Sequence, residues 1–392
     1  MQPFFSFTRM DRLLEVANME AVLFCRPSSF LYFTTLPWYE RLHFSETPGQ
    51  YVMPTAGYVR GRPEQAFATA SPRMDFPDFK AQNIWISDIR PMMLAVPYER
   101  QAEFIVQVLD EKGVQSGQVG IERGMLPHDF IAALDGLAPD IRWTESRDVL
   151  FKLQAFKSGE ELDRLRTACR ITEKGMMRVF DRLAAGVTPE DLMDVFITST
   201  AGLYTERFGH FFSVHFKDFH FTGQALKRPL LKPETLIHID VSSIYKGLIS
   251  DIGRNFYFGS SVPPEVERCS LACTKTMQVV FDRLKPGISC AEVDSLSKEV
   301  LFDTLGDATG LDVGFHSHGI GWILYSYPCI SPEPEGEILP GHAFTLEYKV
   351  KYPGIGHFKC EDTFAMHEDG PECLCGLERK LFVKSGTSPE GG

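Results

Sequence analysis

Residues 236–254 read LIHIDVSSIYKGLISDIGR, and this stretch organises the chain. Ile237, Ile239 and Val241 alternate with polar neighbours, the pattern of a half-buried strand. A Tyr245-Lys246-Gly247 turn then leads into Leu248-Ile249, so the stretch predicts a β-hairpin. Asp240 and Asp251, eleven residues apart, sit on its two arms and are brought toward one point. Two carboxylates held close repel, so one takes up a proton or both share a cation. The C-terminal third adds His318, Glu347 and Glu361, each inside an apolar or glycine-rich run. One histidine and four carboxylates suit hard-to-borderline divalent ions. The alternative for the two aspartates alone is a surface hairpin with solvated acids.

Composition bounds the rest. A chain of 392 residues exceeds what one core usually covers, so two domains are expected. The hydrophobic fraction of 44% and the charged fraction of 23% are those of an ordinary globular protein. A net charge of −12 argues against the grip on phosphates that nucleic-acid binding needs. No run approaches a membrane span, and the opening MQPFFSFTRMDRLLEV lacks a basic region followed by an apolar core. The nine cysteines show no zinc spacing, Cys373 and Cys375 being one residue apart. Buried, reduced thiols of a cytoplasmic protein are expected, with no nucleic-acid or membrane partner.

Outward from the hairpin, the N-terminal part mixes short strands and helices. A helix is predicted over 10–18 and strand, turn, strand over 20–35. Short strands follow at 50–53, 83–86 and 118–121, a helix at 99–112, and the text ends near 143–149. There is no phosphate loop and no dinucleotide fingerprint. Residues 151–158 read as a connecting strand and 160–183 as a charge-patterned helix. An internal repeat comes next. Phe180-Asp181-Arg182-Leu183, then Gly186-Val187-Thr188, recurs as Phe281-Asp282-Arg283-Leu284, then Gly287-Ile288-Ser289. Each copy is a long helix closed by glycine, then a Ser/Thr-capped helix (189–197 and 291–302), then strand text (211–257 and 312–366). Asp240 and Asp251 fall in the first half, and His318, Glu347 and Glu361 in the second. A cleft at a pseudo-twofold between the halves would be lined by both sets. Two carboxylates in the apolar strands around Glu347 and Glu361 would be costly without a cation.

These motifs resemble the pita-bread metallopeptidase family, which includes aminopeptidase P, prolidase, methionine aminopeptidase and the metal-free creatinase. EAVLFCRPSSFLYFTTLPW resembles its creatinase-type N-terminal domain, and FKLQAFKSGEELDRLRTACRIT its linker and first catalytic helix. HIDVSSIYKGLISDIGR, SHGIG, GHAFTLE and KCEDTFAMHEDGPE resemble its metal-binding segments. The resemblance implies an α/β protein: a creatinase-like domain over residues 1–150, then a duplicated pita-bread catalytic domain over 155–392. It implies a homodimer with two divalent ions per chain (manganese, cobalt, zinc or iron). Asp240 would chelate one ion, His318 and Glu347 the other, and Asp251 and Glu361 would bridge both. The implied activity is hydrolysis of an amide bond in a small substrate of Xaa-Pro dipeptide type, with a metal-bridging hydroxide as nucleophile.

Several positions depart from the family pattern. Tyr325 stands where a second histidine usually follows the first by seven residues. Tyrosine can donate to an oxyanion but is a poor proton acceptor near neutral pH. Ser242 replaces a glycine, Gly253 a threonine, Tyr348 a proline and Lys359 an arginine, while Ser250 and Arg254 remain. The upstream substrate-facing histidine corresponds to His220, with His215 second. Tyr325 is either a substrate contact or a packing residue, in which case His316 or His342 handles protons. The departures leave open a diverged enzyme acting on a small polar metabolite, in the manner of dimethylsulfoniopropionate lyase, ectoine hydrolase or creatinase. Phe208, Phe211, Phe212, Phe216, Phe219 and Phe221 form a local cluster that reads as a pocket wall or as core.

Overall fold

The computed structural model of the chain describes residues 2–36, 55–70, 84–91, 97–203, 212–217, 219–221 and 229–385. It divides into two compact units, Met1–Gln154 and Ala155–Gly392.

The first unit is built on a six-stranded sheet. Its strands are β1 (Ala21–Phe24), β2 (Ala56–Val59), β3 (Arg62–Ala70), β4 (Asp88–Pro91), β5 (Gly117–Ile121) and β6 (Ile141–Glu145). Their order is β4-β3-β2-β1-β5-β6. Helices Tyr98–Glu111 and His128–Leu137 pack Ile105, Leu109, Phe130 and Leu134 against Leu23, Val119, Ile121 and Trp143. The first helix runs Phe7–Val16, earlier than the expected 10–18.

Three expectations fail here. Residues 27–34 form a helix, Pro27–Thr34, and not a second strand. Pro27 fits the first helical turn, where its fixed φ helps and its missing N–H is not needed. The free amides at that end are met from far away: Glu122 Oε2 accepts from Cys25 N (2.9 Å) and Arg26 N (2.8 Å), and Oε1 from Ser29 Oγ (2.6 Å). Residues 151–158 do not form a strand, because 147–155 are the helix Arg147–Ala155. Leu150 and Leu153 are buried at helical spacing. Residues 84–86 are not a strand either; Ile84 and Ile86 are buried and Trp85 Nε1 donates to Phe33 O. The strand expected at 50–53 lies outside the described residues, as do Phe208 and Phe211 of the phenylalanine cluster. Phe216 of that cluster is buried.

The second unit realises the repeat. Helices Gly159–Arg182 and Pro189–Thr200 form one pair, Pro264–Arg283 and Cys290–Leu305 the other. Capping boxes start three of them: Ser158 with Glu161, Thr188 with Asp191, Ser289 with Glu292. Gly186 and Gly287, equivalent in the two copies, take positive φ of 89° and 81° after their long helices.

Among the described residues, fifteen strands complete the unit. The first half carries β7 (Phe212–Phe216), β8 (Phe219–Phe221), β9 (Thr235–Val241), β10 (Ile244–Tyr245), β11 (Leu248–Ile249) and β12 (Ile252–Phe258). The second carries β13 (Ile288–Ser289), β14 (Asp312–Phe315), β15 (His318–Gly319), β16 (Ser326–Cys329), β17 (Glu337–Ile338), β18 (Ala343–Tyr352), β19 (Gly356–His367), β20 (Gly370–Cys373) and β21 (Phe382–Lys384). The main sheet runs β16-β15-β18-β19-β12-β9-β7-β8. The hairpin β9–β12 of the first half therefore lies beside the hairpin β18–β19 of the second. The second helix pair buries Cys273, Met277, Val280 and Leu301 against Phe344, Leu346, Tyr348 and Phe364. All nine cysteines are free; Cys329, contrary to the expectation of burial, is exposed.

Candidate active site

Sheet register brings the acids together. Ser213 pairs with Asp240, Asp240 with Gly253, Gly253 with Glu361 and Glu361 with Glu347. Directly opposed residues share a face of a sheet, so the carboxylates of Asp240, Glu361 and Glu347 form one row across four strands, which Ser213 extends to a fifth. Gly253, with no side chain, leaves the middle of the row open. Asp251 lies two residues before Gly253 and so returns to the same face. One step along the strands lies a basic row: His215 opposes His238, His238 opposes Asn255, and Lys359 opposes Lys349. Asn255 joins the halves by accepting from the Lys359 amide through Oδ1 at 2.9 Å. Strand alternation in the sequence thus writes an acidic line beside a basic one.

His318 enters from a short strand whose Gly319 lies against the Tyr327 carbonyl; a Cβ there would approach its oxygen to 2.1 Å. His318 Nδ1 lies 3.0 Å from Gly319 O, which assigns the proton to Nδ1 and turns Nε2 toward Asp251 Oδ2, 3.8 Å away. Asp251, His318 and Glu361 each offer a ligand atom, all within 4.8 Å of one another, and all three are buried. Arg254 stiffens the floor beneath, donating to Glu361 O (2.7 Å) and Asp362 Oδ1 (2.6 Å). Ser250 Oγ meets Thr172 Oγ1 at 2.8 Å, and Ser242 Oγ donates to Asp251 Oδ1 at 3.2 Å.

Charge is concentrated and divided. Burial, then the charge of Asp240, pushes the Asp251 carboxyl well above the usual carboxylate range. Burial, then Asp251 and Glu347, does the same to Glu361, and burial raises Asp240 against the pull of Lys359. Glu347 is also buried, but Lys359 and Lys349 overcome that and hold it down at about 2. Lys359 is 4% exposed at its side chain, and its Nζ lies 2.5 Å from Asp240 Oδ2, 2.7 Å from Glu361 Oε2 and 3.0 Å from Glu347 Oε1. His318 is lowered to about 4 by burial, partly offset by the Gly319 carbonyl, and so presents a neutral ring.

The donor set fits a divalent cation. Asp240 Oδ1 and His318 Nε2 are buried and make no hydrogen bond among the described residues. Carboxylates and an imidazole are the ligands that manganese, cobalt, zinc and iron share. An ion here would remove the cost that now raises Asp251 and Glu361.

The other expected residues lie at the rim. A cavity of about 410 Å³ opens over the two rows and includes Asp240, Asp251, Glu347, His220 and Tyr325 in its wall. His220 Nε2 bonds Ser213 Oγ at 2.8 Å, and its ring stacks on His215 at 3.9 Å. Tyr325 stands over His318, ring centroids 4.3 Å apart, with 62% of its surface exposed. Burial and then Glu347 push its hydroxyl up to about 12, so it remains a donor. His316 also lines the cavity, whereas His342 is buried against Phe156. The sequence marks Lys359 as a departure but does not show that it reaches the acids, and its motifs do not single out His238, Lys349, Lys351 and His357, which line the same cavity. The signal was the period of two: each lies an even number of residues from an acid on its own strand.

The sequence model of metallopeptidase family M24 matches residues 163–368. An Xaa-Pro dipeptidase of Pyrococcus horikoshii is 24% identical over 274 residues, 69% of this chain and 76% of that protein. Among solved structures, a dipeptidase from Pyrococcus horikoshii OT3 superposes with a TM-score of 0.79 at 18% identity, covering 96% of this chain and 99% of the other. An Xaa-Pro dipeptidase from Bacillus anthracis does so with a TM-score of 0.79 at 16% identity, covering 96% and 99%. These likenesses extend the shared fold over both units. No helix among the described residues is long and apolar enough to cross a membrane.

Proposed function

This chain belongs to metallopeptidase family M24, and on that premise we propose that it is an Xaa-Pro dipeptidase-type enzyme that cuts the amide bond of a short peptide. It is a metallohydrolase. The observation that carries the reading is that two halves of a duplicated sheet bring ligand atoms of Asp251, His318 and Glu361 within 4.8 Å of one another, with Asp240 and Glu347 gathered beside Glu361 around Lys359. We assign Asp240 to one divalent ion, His318 and Glu347 to a second, and Asp251 and Glu361 to both. When bound, such ions polarise a scissile carbonyl and lower the pKa of an attacking water.

The chain's own residues do the rest. Lys349 and Lys351, in the cavity wall at the end of the basic row, offer a counter-charge for the free carboxylate of a dipeptide, next to the acids assigned to the ions. That limits the substrate to a short one, because its end must reach the row while its amide lies over the metals. Tyr325, kept protonated, donates a hydrogen bond to charge developing on the substrate carbonyl or leaving group. His220, fixed by Ser213, positions the substrate from the opposite wall. Manganese is the first ion to test, and a cytoplasmic homodimer is the proposed working form.

The test is turnover of an Xaa-Pro dipeptide panel by chelator-treated protein resupplied with manganese, cobalt, zinc or iron. Hydrolysis should need the ion. Asp251→Asn and Glu361→Gln should lose both metal content and turnover. Tyr325→Phe should keep its metal and lose kcat by roughly a hundredfold. Full activity without metal, or no hydrolysis of any dipeptide by metal-loaded protein, would sink the assignment.

A further inference from the structure

Lys359 and Gly253 are both departures from the family pattern, and the structure ties them together. Lys359 sits two residues before Glu361 on β19, so its side chain emerges on the acidic face. Its stem crosses the gap left by Gly253: a Cβ on Gly253 would lie 3.0 Å from Lys359 Cδ, 3.1 Å from Cγ and 3.2 Å from Cε. Any larger residue at 253 would crowd that path. The ammonium at its end reaches one oxygen each of Asp240, Glu361 and Glu347, at 2.5, 2.7 and 3.0 Å. Asp240 and Glu361 draw the ammonium into the half of the centre that Asp240 serves, and Glu347 reaches it from the other half. The other half, where Asp251, His318 and Glu361 converge, contains no lysine contact to Asp251 or His318 among the described residues.

We propose that the Lys359 ammonium occupies the Asp240 half of the centre as an internal cation, so that one divalent ion binds tightly at Asp251, His318 and Glu361 and a second must displace Lys359. The inference rests on the reading of these acids as a metal centre and adds an order of filling to it.

The physical reason is that the same oxygens cannot serve both cations. An ammonium is held at about 2.7–3.0 Å, whereas manganese-like ions draw carboxylate oxygens to about 2.0–2.2 Å. Two cations around one set of three oxygens would also repel each other inside a buried site. Charge balance favours the one-ion state. Asp240, Asp251, Glu347 and Glu361 carry four negative charges; Lys359, Lys349 and one divalent ion carry four positive ones. Lys359 has no such constraint in the backbone, which is held by Asn255, so its four-carbon stem can swing without breaking the strand.

Titration calorimetry of chelator-treated protein with manganese reads the order of filling directly. Wild type should take up one ion per chain tightly and a second with an affinity at least about tenfold weaker. Lys359→Met should bind two ions of comparable affinity, and manganese anomalous scattering from wild type at one equivalent should show a single ion beside His318. Lys359→Gln serves if the methionine variant does not fold, and the difference between the wild-type isotherm and a variant's decides the matter. Two equivalent ions in wild type, or a second ion that stays as weak in the variants, overturns the inference and leaves the metal centre standing. No ion in any form overturns both.

Discussion

Stacked between His220 at 3.9 Å, His357 at 4.3 Å and His238 at 4.9 Å, the ring of His215 cannot easily take a proton. Burial first, then the like charge of His220, His357, Lys359 and Lys349, lowers it to about 2. A histidine whose folded pKa is depressed stabilises the fold above its unfolded value, near 6.5, and that contribution is lost as the pH falls toward its folded value. Asp251 and Glu361, raised in the metal-free protein, act in the opposite sense. The comparison must therefore be between variants. From about pH 7.5 to about pH 5, the urea midpoint of His215→Phe should fall less than that of the wild type. Equal slopes would mean that His215 does not carry this linkage. Its type was legible in the sequence, but its neutral state was not, because that comes from rings on three other segments.

At the scale of elements, the helix Pro27–Thr34 depends on a residue almost a hundred positions away. Glu122, 4% exposed, accepts from two backbone amides and one hydroxyl at that helix's start, with Arg26 Nε 3.8 Å from Oε1. Hydrogen bonds to a charged group are worth roughly 1.5–3 kcal/mol each way of counting, and losing the cap leaves buried amides unpaired. Glu122→Ala should therefore cost about 2–3 kcal/mol in urea unfolding, and Glu122→Gln less. A change below about 0.5 kcal/mol, the range of an ordinary surface substitution, would show that the cap is dispensable. The same contact explains why FCRPSSFLYFTT misleads when read alone. Its apolar run suits strand or helix, and the arbiter is a carboxylate on the loop after β5. The long helices of the second unit were legible because their capping boxes and charge patterns are local.

For the whole molecule, the buried charges of Asp240, Asp251 and Glu361 oppose folding unless a cation meets them. An ion that binds only the folded chain stabilises it by about 2.7 kcal/mol at a hundredfold excess over its Kd. Manganese should thus raise the thermal midpoint of the wild type and a chelator lower it, while Asp251→Asn should respond to neither. A wild-type midpoint that ignores both would count against any ion in this site. The duplicated half-sheets would make this coupling global: each half supplies only part of the set, so an ion bound there would hold β9 and β12 to β18 and β19.

Local chemistry determined much of this. The hairpin around Asp240 and Asp251 and the doubled helix pair follow from periodicity, turns and caps, which act over a few residues and are visible in the string, and the five acid and imidazole residues stand out there as candidates. Register decided what the string could not state. Only the pairing of Gly253 with both Asp240 and Glu361 aligns the acids of the two halves, and only that alignment carries Lys359 across an empty position into their midst. The contacts of Gly253 with Lys359 and Glu361 join residues more than a hundred positions apart, so their energy depends on the assembled sheet and leaves no trace in either segment alone.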